Sequence, residues 1–133
     1  LTSKIIKTAN KVKTFIFYNT TDNFKIKRLK LLGVKTIKIN LKSDHIDFDQ
    51  IVFFLKSNGF YRVFVEAGIN FNNFLLENNY INDFYHFYSS KMIGKNGFFN
   101  AKLFFKKMNK IILNKRIIRV NLYQDKLIKY LLK

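Results

Sequence analysis

The stretch from Arg62 to Phe74 constrains the fold most. Val63-Phe64-Val65 reads as a short apolar strand, Glu66-Ala67-Gly68 as a turn, and Ile69-Asn70-Phe71 as the start of a helix. A strand that runs through a glycine turn into a helix leaves backbone N–H groups pointing outward at the helix N-terminus. Those donors, with about half a positive charge from the helix dipole, favour an anion such as a phosphate. Gly68 presents no Cβ, so a ligand can approach the backbone closely. Glu66 stands at the carboxyl end of the strand, where α/β sheets place ligands. The plainer alternative is an ordinary strand-to-helix connection with an incidental glutamate, because one glycine is a weak phosphate signal.

The remaining segments alternate around this unit. Thr14 to Tyr18 is β-branched and aromatic and predicts a buried strand. Phe24 to Leu32 predicts a helix closed by Gly33, and Val34 to Asn40 a strand with mixed faces. Asp47 with Gln50 three residues on forms a capping-box pattern, opening a helix that Gly59 ends. Phe71, Phe74 and Leu75 lie at i, i+3 and i+4, so the helix after Gly68 packs one face inward until Asn78 and Asn79 stop it. Asp83 to Ser89 reads as an aromatic-rich strand, Lys91 to Phe99 as a loop around Gly94 and Gly97, and Ala101 to Met108 as a short helix. Ile111 to Leu113, Ile117 to Tyr123 and Leu127 to Leu132 read as strands, the last two joined through Gln124-Asp125-Lys126 as a terminal hairpin. Leu1 to Val12 is a polar lead-in with Ile5, Ile6 and Val12 as its apolar contacts. Alternation followed by a strand-rich tail predicts a three-layer α/β core with antiparallel C-terminal strands.

Size and composition narrow the function. A chain of 133 residues, 48% hydrophobic, suits one globular domain. With no cysteine there are neither disulfides nor thiolate metal sites. His45 and His86, far apart in sequence, offer no histidine metal site and no Ser/His/Asp arrangement. His86 alternates with aromatics and reads as a packed or edge residue. Asp44, Asp47 and Asp49 are better explained by helix capping than by metal binding, and Asp83 by local pairing. Phe53, Phe54, Phe71, Phe74, Phe84 and Phe87 read as core, since a base-stacking surface would expose them beside arginine. No apolar run approaches the roughly 20 residues that span a bilayer, and Leu1 to Val12 lacks the apolar centre of a secretory signal. A cytoplasmic protein is the default expectation. Position 1 is not Met, which suggests a processed product or part of a longer chain.

The formal net charge of +17 suggests a polyanion partner at first sight. Yet only Arg28, Arg62, Arg116 and Arg119 are arginines, and nucleic-acid readers favour arginine for bidentate contacts. The abundance of Asn, Ile, Phe, Tyr and Lys matches AT-rich codons, which accounts for much of the charge. A residual basic field would still attract a phosphorylated substrate or cofactor.

Several segments together resemble a known family. Val63-Phe64-Val65-Glu66-Ala67-Gly68, Phe74-Leu75-Leu76, Tyr80-Ile81-Asn82-Asp83-Phe84 and Lys91-Met92-Ile93-Gly94 resemble the C-terminal reductase domain of the bifunctional riboflavin-biosynthesis deaminase/reductase, the RibD family. Leu122 to Tyr130 is similar to that family's final hairpin, and Thr14 to Tyr18 has a counterpart. The resemblance implies a dihydrofolate-reductase-like fold, a mixed sheet flanked by helices. It implies NADPH-dependent reduction of 5-amino-6-(5-phosphoribosylamino)uracil, a phosphorylated pyrimidine, to its ribitylamino product. It places substrate on Glu66 and the cofactor phosphates on Gly68, Ile69, Asn70, Phe71, Asn72, Asn73 and Phe74. No residue nucleophile and no metal are implied, because the cofactor carries the hydride.

The departures are definite. The family's opening strand with its Lys-x-Ala/Ser-x-Asp-Gly pattern has no counterpart, nor does the zinc-deaminase half with Pro-Cys-x-x-Cys. Ser90 stands for a common proline and Gln124 for a common glycine. The expectation is a C-terminal part of the reductase, residues 1–133, that is inactive on its own. Two rivals are a basic RNA-binding or ribosomal protein of an AT-rich genome, and a remnant that forms a homodimer without catalysing.

Overall fold

Residue alternation along the first strand explains how the N-terminal half is layered. The computed structural model describes residues 1–42, 45–91 and 101–133. Its contacts fall into two units, Leu1–Phe64 and Val65–Lys133. In the first, α1 (Lys4–Lys7) precedes β1 (Phe15–Tyr18), α2 (Asn23–Leu31) and β2 (Lys35–Lys38). The short strands β3 (Leu41–Lys42) and β4 (His45–Ile46) follow, and α3 (Phe48–Ser57) closes the unit. β1 and β2 pair in parallel from Phe15↔Lys35 to Tyr18↔Lys38, as a strand–helix–strand crossover requires. Successive β1 side chains point to opposite faces. Ile16 and Tyr18 therefore join the core of Ile6, Ala9, Ile26, Leu29 and Val34. Phe15 and Phe17 instead meet Phe54 of α3 edge-on, at 5.3 and 5.4 Å between ring centroids.

Capping matches the sequence reading with one change of detail. Asp22 caps α2 by accepting from the Lys25 N–H at 2.9 Å. Asp47 caps α3, accepting from the Asp49 N–H at 3.1 Å. Gln50 does not complete the box by accepting from the Asp47 amide. It donates to the Asp47 carboxylate at 2.9 Å and accepts from the Asn40 N–H at 3.3 Å, fastening the helix start to the chain leaving β2. Gly33 and Gly59 follow α2 and α3 with φ of +86° and +81°, where a side chain would be strained. The N-terminal segment is more than a lead-in. Ile6 and Ala9 are buried, whereas Ile5 and Val12 are exposed.

The second unit holds α4 (Ile69–Glu77), β5 (Asp83–Tyr88), α5 (Lys102–Met108), β6 (Ile112–Ile118) and β7 (Lys126–Leu132). Its three-stranded antiparallel sheet runs β5-β7-β6, so the last strand occupies the centre. Leu76, Phe104, Met108, Tyr130 and Leu132 form its core, with Phe104 and Met108 essentially closed to solvent. Burying one such side chain contributes about 1.5–3 kcal/mol. Asn78 ends α4 and Asn79 takes φ +58°, as their position predicted.

Three expectations need correction. Val63-Phe64-Val65 forms no strand; it is exposed and no described strand pairs with it. β-propensity reflects packing against neighbours, and here no ladder is supplied. Ile111 to Leu113 and Ile117 to Tyr123 are not separate strands. One strand, Ile112–Ile118, carries a register shift between Ile112 and Asn114 and leaves 119–125 as the connection to β7. The Asp125 N–H closes that turn on the Leu122 carbonyl at 3.0 Å. The six phenylalanines assigned to the core divide. Phe54, Phe74 and Phe84 are part-buried, but Phe53, Phe71 and Phe87 are exposed. Phe87 leaves the packed side because Phe84 and His86 already occupy it. The loop reading around Gly94 and Gly97, and the Met92-Ile93-Gly94 part of the resemblance, lie outside the described residues, as does Asp44.

Candidate functional site

Gly68 is the N-cap residue of α4, in extended backbone at φ −69° and ψ 167°. Positive φ is therefore not what requires glycine here. A Cβ built at Gly68 would meet nothing within 4 Å, so the glycine keeps the backbone bare toward open space. Among the described residues no side chain caps α4, and its first turn contains no acid. The contrast with α2 and α3, each capped by an aspartate, is chemical: their positive ends are already answered, and that of α4 is not.

The preceding segment is held by Asn72. Its Nδ2 donates to the Ala67 carbonyl at 3.0 Å while its backbone N–H donates to the Gly68 carbonyl at 3.1 Å. From Asn72 onward the helix spends its amides on carbonyls four residues back. Any anion cradle therefore belongs to the first turn, at Ile69 and Asn70. Asn72, Asn73 and Phe74 can act on a ligand only through side chains. Phe74 stacks with Phe71 and Tyr80, at 5.9 and 6.2 Å between centroids, and Ile69 packs against the Phe104 core. Asn73 Oδ1 is buried and accepts no hydrogen bond from the described residues. Glu66, two residues before Gly68, is exposed and forms no ion pair with a described residue. Its carboxylate is open to a solute.

The acids at 49, 77 and 83 are paired with lysines, although the sequence predicts local capping or pairing for Asp83 and a cap on α3 for Asp49. Asp83 pairs with Lys129 at 2.7 Å across the β5–β7 ladder, a bond that holds the Lys129 ammonium above its ordinary pKa. Glu77 pairs with Lys107 and joins α4 to α5. Asp49 pairs with Lys42 at 3.4 Å.

A feature missed in the sequence lies in the first unit. A cavity of about 440 Å³ sits against the carboxyl end of β2 and the start of α3, lined by Ile37, Lys38, Asp49, Gln50, Phe53 and Phe54 among others. Openings at the carboxyl ends of parallel strands are where α/β sheets take ligands. Assigning Phe53 to the core concealed it. The signal available was the cation Lys38, the last residue of β2, just ahead of the capped α3.

The family model of the RibD C-terminal domain matches residues 1–122. The chain belongs to that family. A comparison with curated proteins finds no match. Membership in the RibD C-terminal family gives the chain a dihydrofolate-reductase-like α/β fold and, at family level, a reductase role in riboflavin biosynthesis. The match takes in both the Glu66–Gly68 segment and the cavity at β2. It stops at Leu122, so the similarity seen over Leu122 to Tyr130 lies almost wholly beyond it. Among the described residues no helix is long and apolar enough to cross a membrane.

Proposed function

We propose that this RibD C-terminal domain binds NADPH and acts in the reduction of 5-amino-6-(5-phosphoribosylamino)uracil to the ribitylamino product. Family membership supports the reaction class and favours it over an RNA-binding role. The observation that carries the cofactor reading is the uncapped, acid-free N-terminus of α4 behind a bare glycine. Such a terminus presents backbone N–H donors and a positive dipole end to an anion. The amides of Ile69 and Asn70 would hold the anion, and Asn72 would fix the segment before the helix. Glu66, exposed beside it, would accept hydrogen bonds from hydroxyls of the sugar-phosphate substrate. NADPH supplies the hydride when bound; the chain's part is to bind, orient and exclude water.

NADPH titration followed by calorimetry tests this. The wild-type chain should bind, and Gly68→Val should lower affinity by about tenfold or more, because a branched side chain fills the approach to the amides. Space around Gly68 is open, so circular dichroism and the unfolding midpoint should stay close to wild type. Absence of binding by the folded wild-type chain, or equal affinity in the variant, would overturn the reading.

A further inference from the structure

We propose that the outer face of the β5-β7-β6 sheet holds a site for a small phosphate ester, built on Arg116, Lys129 and Asn114. The site lies wholly within the second unit and stands independently of the NADPH reading. Strand alternation sends Tyr130 and Leu132 into the core, so Lys129 and Leu131 face the other way. The β6–β7 register then sets Arg116 directly opposite Lys129, and Asn114 directly opposite Leu131. These four residues line a cavity of about 240 Å³. That volume suits a small ligand, since drug-sized ones fill about 300–1,000 Å³. Like charges directly opposite each other in a ladder repel. An anion held between the two cations replaces that repulsion with two attractions.

The two cations are not equivalent. Lys129 Nζ donates to Asp83 at 2.7 Å and lies 5.4 Å from the centroid of the Tyr85 ring, both on β5. Its side chain is only 18% exposed, so this ammonium is held in place. Arg116, on β6, is exposed and forms no ion pair with any described residue. Asn114 Oδ1 accepts from the Lys115 N–H at 2.7 Å, which leaves Nδ2 as the half of the amide that can donate to a ligand. Donors thus stand at three corners of the cavity, on two strands. A planar carboxylate is satisfied by the guanidinium fork alone. The three oxygens of a phosphate can meet the fork, the ammonium and the amide together. Leu131, 41% exposed at the fourth corner, offers an apolar surface to the carbon that bears the phosphate. Asp83 works against the anion, because it already neutralises part of the Lys129 charge.

Titration of the full chain with phenyl phosphate at neutral pH and constant ionic strength, followed by proton–nitrogen NMR, tests the site. The Asn114 side-chain amide and the Arg116 Nε–H signals should shift and saturate. Arg116→Ala should weaken binding by about tenfold, the scale of one charge-assisted contact. Lys126→Ala removes the same charge from an exposed position at the start of β7 and should change affinity by about twofold at most. Asp83→Asn should tighten binding, because it releases Lys129 from its acid. Inorganic phosphate should bind more weakly than phenyl phosphate, and acetate more weakly still. Equal losses in Lys126→Ala and Arg116→Ala would show only the general field of a basic chain and overturn the proposal. Acetate or inorganic phosphate binding as tightly as phenyl phosphate overturns the assignment to an ester. Shifts confined to the Ile69 and Asn70 amides would put the anion at the start of α4, which ends this proposal and leaves the NADPH reading standing. Arg116 and Lys126 are exposed, so both variants should keep the wild-type circular dichroism spectrum.

Discussion

His86 shows how much a single residue inherits from its place in a sheet. Its alternation with Phe84 and Tyr88 already indicated a packed or edge histidine. The ring lies 4.8 Å from that of Phe105, and its Nδ1 is buried without a hydrogen-bond partner among the described residues. Burial, and secondarily the charge of Lys115, hold its pKa below the ordinary 6.5. The unfolded chain therefore takes up the proton more readily than the folded one. Stability is full above about pH 6.5, declines as pH falls below it, and levels off once the folded histidine is also protonated. Urea-unfolding midpoints measured from about pH 8 down to about pH 5 should trace that decline. His86→Phe should flatten the part due to this residue. An unchanged slope in the variant would mean that other groups titrate instead.

Among the elements, helices with caps and glycine stops were legible and strands without partners were not. Gly33, Asp47, Gly59 and Asn78 mark helix ends through chemistry local to the chain, so sequence alone locates them. Val63-Phe64-Val65 has the composition of a strand, but pairing is a non-local event that composition does not contain. Which face of a strand or helix meets a neighbour is likewise non-local. Phe53, Phe71 and Phe87 were therefore misplaced, and the cavity at β2 escaped notice. The start of α4 behind Gly68 was legible because it is a local feature, whereas neither the strand before it nor a turn over Glu66 to Gly68 is formed. α5 packs through Phe104 and Met108, whose spacing of four puts them on one face. Phe104 is 1% exposed and touches the centre of the unit's core. Phe104→Ala should cost about 3–5 kcal/mol, read as a lower urea midpoint with unchanged slope. Lys106→Ala on the same helix, at an exposed position, should fall within about 0.5 kcal/mol of wild type. Similar losses in both would show that α5 is not packed as described.

For the whole molecule the controlling quantity is charge. The chain carries 25 basic and 8 acidic side chains, and the acids at 49, 77 and 83 are already committed to lysines. Two effects of salt then oppose each other. Screening weakens those pairs, of which the two at Asp49 and Glu77 are exposed and worth at most about 1 kcal/mol each. Screening also relieves repulsion among the excess cations, which acts at many positions and over longer range. The Debye length falls from about 30 Å at 0.01 M to about 8 Å at 0.15 M, so most of the long-range repulsion disappears over that interval while contact pairs are only partly affected. The repulsive effect should win. The urea midpoint should rise across the interval by an amount equivalent to on the order of 1 kcal/mol. Urea is the right denaturant because guanidinium would itself supply the screening. A midpoint that fell with salt would mean that the ion pairs, not the excess lysines, dominate the electrostatics of the folded chain. The same interval bears on function. Binding of a phosphorylated cofactor to a chain of this charge should weaken as salt rises even though the fold is firmer. Affinity and stability should thus move in opposite directions, a divergence that a salt-induced unfolding could not produce.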